Sequence, residues 1–68
     1  MMTILINGEQ KAVNDNLSVE GLLKSFHIDP SAVVVERNEM VLPRQRFGET
    51  LVTAGDKIEI VRFVGGGA

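Results

Sequence analysis

Only one stretch of this chain carries the spacing of an amphipathic helix, and that limits the folds open to it. Val19, Leu22, Leu23 and Phe26 recur at i, i+3, i+4 and i+7, so a helix there buries one apolar stripe. The other apolar runs are short and rich in β-branched residues: Ile4-Leu5-Ile6, Val33-Val34-Val35, Met40-Val41-Leu42 and Ile58 to Val61. These are strand compositions. One helix and several strands satisfy the two-layer rule for domains in one simple way, with the helix covering one face of a small sheet.

Punctuation residues set the element boundaries. Met2 to Asn7 reads as a strand, Asn7-Gly8 as a tight hairpin turn, and Gln10 to Val13 as the returning strand. Asn14-Asp15-Asn16 is a loop cluster. Ser18 is the helix N-cap, with Glu20 in the first turn. Gly21 weakens the helix by up to ~1 kcal/mol relative to alanine and is expected to permit close packing on the sheet. Asp29-Pro30 is expected to end the helix, because a residue before proline disfavours the α region.

Val33 to Arg37 is the next strand, Asn38-Glu39 a turn, and Met40 to Leu42 a short strand stopped by Pro43. Arg44 to Gly48 reads as one irregular or short helical turn anchored by Phe47, and Thr50 to Thr53 as extended. Ala54-Gly55-Asp56 turns the chain into a last strand, Lys57 to Val61. The order is β-β-α-β-β-β. The expected core is Ile4, Ile6, Val13, Leu22, Leu23, Phe26, Val33, Val35, Leu51, Ile58 and Ile60.

Sixty-eight residues make one small domain, and 44% apolar residues supply material for a core without cysteines to staple it. Seven basic and nine acidic residues leave a net charge of −2, and the isoelectric point is near 5.2. That balance argues against nucleic-acid binding, for which a basic patch is the usual mark. No apolar run approaches the ~20 residues of a membrane span. The N-terminus has no basic segment before its apolar stretch and does not read as a signal peptide. A soluble cytoplasmic protein is expected.

The chain ends Val64-Gly65-Gly66-Gly67-Ala68, directly after an apolar strand. Glycines lack Cβ atoms, so such a tail can pass through a channel too narrow for side chains. It therefore reads as a segment inserted into another protein's site, or as an inert terminus. The expected organisation is a domain over 1–64 and a flexible tail over 65–68.

Taken in order, the residues resemble a known family along essentially the whole chain. They are the Asn7-Gly8 hairpin, the Ser18-Val19 to Leu22-Leu23 helix, Glu36-Arg37-Asn38, Pro43-Arg44, and Gly55-Asp56 leading through Val61-Arg62-Phe63-Val64 to the terminal glycines. Gly-Asp before a strand is common turn chemistry, but followed by a glycine tail it becomes specific. The chain resembles the ThiS family, the sulfur carriers of thiamine (thiazole) biosynthesis. The resemblance implies a ubiquitin-like β-grasp fold of class α+β, with one helix on a mixed sheet of about four to five strands. The first and last strands would lie side by side at the sheet centre.

It also implies a mechanism. The C-terminal glycine carboxylate is adenylated by a ubiquitin-activating-like partner using ATP. A sulfur donor such as a cysteine desulfurase converts it to a thiocarboxylate, which delivers sulfur to a thiazole synthase. The carrier is then not an enzyme, binds no cofactor or metal itself, and is a monomer when free. Gly67 is the expected attachment point, with Gly66 and Gly65 as the rest of the inserted tail. Ala68 departs from the pattern: it is removed by a peptidase, is an added residue, or is tolerated by the partner.

Other readings remain open at this stage. The chain could serve molybdopterin or cysteine synthesis on the same fold, although its short length and the residues between Pro43 and Thr53 favour the thiazole pathway. It could also be a ubiquitin-like module that binds proteins without covalent chemistry. His27 is expected to border the helix C-terminus, not to bind metal, because no second ligand lies nearby. Glu36 and Glu39 read as solvated charges, and Asp56 as a turn stabiliser. If Ile58 and Ile60 face the helix, alternation puts Val61 and Phe63 on the other face. They form either a partner-docking surface with Arg62, Val64 and Arg44, or a second small core under Pro43 to Gly48.

Overall fold

The computed structural model describes residues 1–63. A five-stranded mixed sheet carries one helix. Strands β1 (Met2–Ile6) and β2 (Glu9–Val13) form the first hairpin, and α1 (Val19–Ser25) follows. Then come β3 (Val33–Arg37), β4 (Met40–Leu42) and β5 (Lys57–Arg62), in the sheet order β2-β1-β5-β3-β4. The last strand thus lies at the centre, parallel to β1 and antiparallel to β3.

Local chemistry explains these elements. Asn7 and Gly8 take φ of 51° and 84°, the positive pair that a two-residue hairpin turn needs to match strand twist. Asn38 and Glu39 do the same between β3 and β4, at 53° and 72°. Ser18 caps α1, its Oγ accepting the Gly21 N–H at 3.0 Å. The first two helical N–H groups reach further: Val19 donates to the Thr50 carbonyl at 2.8 Å and Glu20 to the Phe47 carbonyl at 3.0 Å. The segment after β4 therefore satisfies donors that a helix start leaves unpaired.

Burial of Val19, Leu22 and Leu23 against Ile4, Val13, Val33, Val35 and Ile58 forms the core. Each such side chain contributes roughly 1.5–3 kcal/mol on leaving water. Phe47 and Val52 complete it from the long segment between β4 and β5. A short 3₁₀ turn, Arg44–Arg46, delivers Phe47, so the anchoring expected of that residue is observed.

Several expectations need correction. The helix stops at Ser25, four residues before Asp29. Its last carbonyls are closed by a double turn in which His27 N–H bonds the Lys24 carbonyl at 3.0 Å and Ile28 N–H bonds the Leu23 carbonyl at 2.9 Å. This returns Ile28 to the core's edge and leaves Phe26 40% exposed, so Phe26 is not a core residue. Asp29 instead caps a second 3₁₀ turn, Pro30–Ala32, through Ser31.

Leu51 is likewise 56% exposed, and its neighbour Val52 takes the buried place. Thr50 to Thr53 forms no strand; its single ladder contact is the bridge between Ser18 and Leu51. Ile6 and Ile60 lie at the core's margin. Nor does Gly21 serve close packing on the sheet. A Cβ there would meet Leu17 Cδ2 at 3.3 Å and Ser18 Oγ at 3.4 Å, the atoms of the cap itself.

Candidate functional site

The candidate site is the outgoing end of β5, from which the chain's last residues depart. Both ends of this strand are fixed. At its start, Asp56 is only 4% exposed, and its carboxylate accepts four hydrogen bonds. They come from Arg37 Nε at 3.0 Å, Asn38 Nδ2 at 3.1 Å, Thr53 N at 2.8 Å and Thr53 Oγ1 at 3.0 Å. Burial alone would raise the Asp56 pKa. The Thr53 amide, Asn38, Arg37 and the Thr53 hydroxyl outweigh it and hold the group below its ordinary 3.8. The expected turn-stabilising role of Asp56 is observed, and it extends further, locking the β3–β4 turn onto β5.

Along β5, two turn asparagines continue the ladders where the strands run out. Asn38 Oδ1 accepts the Lys57 N–H at 2.9 Å. Beyond Ile6, Asn7 takes over the edge of β5, its side chain bonding both the N–H and the carbonyl of Ile60. At the far end, Phe63 N–H bonds the Ala32 carbonyl at 3.0 Å. The strand is therefore held to within one residue of Val64.

Alternation then distributes the side chains. Val61 stands opposite Val34, and Arg62 opposite the buried Val33. Directly opposed residues share a face, so Val61 lies on the sheet face away from the helix and Arg62 on the helix side. Val61 and Phe63 are 58% and 63% exposed, and Val41 on β4 is exposed too. Phe63 and Arg44 line one cleft of about 500 Å³ together with Pro43 and Val34. Exposure of both apolar residues disfavours a second core under Pro43 to Gly48, because that segment sends Phe47 into the main core instead. Of the predicted docking residues, Phe63 and Arg44 share one cleft, Val61 lies on the outer face at the edge of another, and Arg62 lies on the helix side.

Val64, Gly65, Gly66 and Gly67, with Ala68, lie outside the described residues. So do the attachment point and the inserted tail expected from the sequence.

Of the remaining polar candidates, Glu39 has an ionic partner, Lys57 Nζ at 3.3 Å. Glu36 stands opposite Glu59 across β3 and β5. His27 occupies the turn after α1 with φ of 61°, bordering the helix end as expected. Among the described residues, no group of three or more His, Cys, Asp or Glu is placed to hold a metal ion, and no helix is long and apolar enough to cross a membrane. The sequence reading missed the roles of Asn7 and Asn38, though asparagine before a second turn residue at both hairpins was a signal that they share a task.

Comparisons with known proteins agree with this arrangement. A model of the ThiS family matches residues 4–67. The sulfur carrier protein ThiS of Bacillus subtilis is 38% identical over 63 residues, covering 91% of this chain and 96% of that protein. A thiazole synthase of Paramagnetospirillum magneticum is 40% identical over 67 residues, covering 98% of this chain but 21% of that protein. A second, from Magnetococcus marinus, is covered over 20% of its length. The chain thus spans about a fifth of the length of these synthases. The crystal structure of the thiamine biosynthesis protein ThiS from Geobacter metallireducens superimposes with a TM-score of 0.83 at 35% identity, covering 96% of this chain and 99% of that one. The fold is the β-grasp fold of those proteins.

Proposed function

The chain belongs to the ThiS family of thiamine-biosynthesis sulfur carriers, and from that premise we propose that it carries sulfur as a thiocarboxylate on Gly67. A carrier of this kind is a protein reagent and not an enzyme. Its own side chains perform no bond making.

The chemistry required of the terminus supports the reading. An α-carboxylate titrates near about 3.3–3.7, so around neutral pH it is an anion and a poor electrophile. An adenylating partner converts it to an acyl adenylate: a carboxylate oxygen attacks the α-phosphate of ATP and pyrophosphate leaves. The outer sulfur of a donor persulfide, such as that of a cysteine desulfurase, then attacks the carbonyl. The new C–S bond replaces the bond to AMP, which departs with its electron pair. A second thiol attacks the donor sulfur of the resulting acyl disulfide and the S–S bond breaks. The thiocarboxylate leaves with the electron pair, and the two thiol sulfurs are oxidised to a disulfide. Glycine at the reacting position leaves the carbonyl open, and Gly65 and Gly66 let the backbone enter a narrow site. Gly67 must be the terminal residue for this to happen. The family match, which reaches Gly67 and leaves Ala68 beyond it, supports that assignment.

Thiazole synthase is the proposed recipient. The observation behind this is that two longer proteins named thiazole synthase each contain a segment resembling this whole chain. Val61, Phe63 and Arg44 are proposed to dock the adenylating enzyme and the synthase in turn, since exposed apolar side chains beside the departing tail make a natural contact surface. The reaction is placed in the cytoplasm, where ATP is available, and the free carrier is read as a monomer.

The observation that carries the proposal is the position of β5. The strand leading to the glycines is the central one, fixed at both ends, so the tail leaves from a rigid point. The test is direct. The chain trimmed after Gly67 is incubated with the adenylating enzyme, ATP and a sulfur source, and its intact mass is measured. Replacement of one oxygen by sulfur at the C-terminus is expected; no mass gain overturns the reading.

A further inference from the structure

On the helix side of the sheet, a cleft of about 580 Å³ lies between the end of α1 and the outgoing ends of β1 and β5. It reaches the outer face at its edge through Val61, whereas Phe63 and Arg44 line a different cleft. Its apolar lining is Ile6, Phe26, Ile28, Ile60 and Val61, and its charged lining residues are Lys11 and Arg62. We propose that this cleft is a second protein-docking site, taking a segment in which a bulky apolar side chain is flanked by carboxylates.

Three observations carry this. First, the aromatic ring is kept out of the core by the backbone. Residues 26–28 close the helix with the positive φ of His27, a conformation that costs a residue with a Cβ about 1–2 kcal/mol. The same turn that brings Ile28 to the core's edge leaves Phe26 40% exposed at the cleft. An exposed aromatic beside partly buried isoleucines is the pattern of an interface anchor site, an apolar centre with a polar rim.

Second, both charged residues that line the cleft are cationic, in a chain whose net charge is −2. Among the described residues Lys11 forms one ion pair, with Glu9 at 3.5 Å, an exposed pair of little energetic weight that a partner carboxylate can displace. Arg62 is in no ion pair among the described residues. The complementary partner is therefore acidic, and opposite charge speeds its encounter and sets its orientation.

Third, the site is continuous with the strand that leads to the tail. Arg62 belongs to β5 and lies next to Val61, so a partner holding the outer face can reach the cleft around the end of the strand. The cleft would give a second grip on the body of the domain without occupying the tail. The inference stands apart from the thiocarboxylate chemistry and would survive its failure.

The test is a heteronuclear NMR titration of the full chain with a blocked peptide, leucine-phenylalanine-leucine between two glutamates. Saturable amide shifts are expected at Asn7, Lys11, Phe26, Ile28 and Arg62, with the Thr53–Lys57 turn unmoved. Lys11→Glu and Phe26→Ala should each weaken binding about tenfold or more, and undiminished spectral dispersion confirms that both variants fold. A peptide with glutamines in place of glutamates should bind correspondingly more weakly. No saturable shifts at the cleft, equal binding of the glutamine peptide, or cleft shifts that follow protein concentration without peptide each overturn the proposal. The last outcome would assign the cleft to a second copy of the chain.

Discussion

Asn7 grips the backbone of Ile60 with both ends of its side-chain amide: Oδ1 accepts the Ile60 N–H at 2.8 Å and Nδ2 donates to the Ile60 carbonyl at 3.3 Å. The residue that turns the first hairpin thus also stands in for the next residue of β1. Asn7→Gly keeps the positive φ and removes the grip. It should destabilise the domain by about 1 kcal/mol, after the loss of two partly exposed hydrogen bonds. Urea denaturation measures that loss, and faster amide exchange at Ile60 locates it.

Asp56→Asn should cost more, about 2–3 kcal/mol, because a charge-assisted bond is lost and Arg37 loses its carboxylate partner. The pH dependence has a definite sign. The folded pKa of Asp56 lies below 3.8, so near that pH the unfolded chain binds more protons than the native one. The stabilisation is complete above the unfolded value and is lost as pH falls through the folded value. Urea midpoints followed from pH 7 downward should therefore drop in acid for the parent chain, with a shallower drop for the asparagine variant.

His27→Gly should stabilise the fold by about 0.5–1 kcal/mol. Glycine removes the left-handed penalty of about 1–2 kcal/mol, and its greater unfolded-state entropy returns part of the gain. Thermal unfolding checks it. A lower melting temperature would mean that the His27 side chain contributes more than its backbone strain costs.

Val61→Asp and Phe63→Asp should leave stability within about 0.5 kcal/mol, since both side chains are exposed. They should still slow thiocarboxylate formation by about 5- to 30-fold, the effect of losing 1–2 kcal/mol of docking energy. Single-turnover rates with the adenylating enzyme supply the measurement. Rates equal to those of the parent chain would remove these two residues from the docking surface.

What could be read from the sequence was what local chemistry decides. Asn7-Gly8 specifies its turn, Ser18 its cap, and the Val33–Val35 run its strand, each without reference to distant residues. The face on which Val61 lies followed from alternation along β5, whereas its exposure, with that of Phe63, stays open in the sequence between a docking surface and a second core. What escaped depends on contacts far along the chain. Phe26 fits the helical stripe, yet the helix ends beneath it because a double turn closes at His27, a residue whose type does not announce a left-handed conformation. Leu51 and Val52 exchange places because one bridge to Ser18, not a strand, orients that segment. The grouping of Arg62 with Val61 ignored the same alternation that separated Ile60 from Val61. The cleft beside Phe26 was hidden because its walls come from β1, β2, the turn after α1 and β5, and its aromatic fits the helical stripe.

The central place of β5 also has a mechanical meaning. A partner that draws on the tail loads a strand bonded on both sides, to β1 in parallel and to β3 in antiparallel. Tension along such a strand is shared by its ladder bonds in shear, where an edge strand would peel away one bond at a time. Under the proposed function, the last residues are threaded into one site, withdrawn and threaded into another, so the load falls repeatedly at one point. In this chain that point is the strand best built to take the strain.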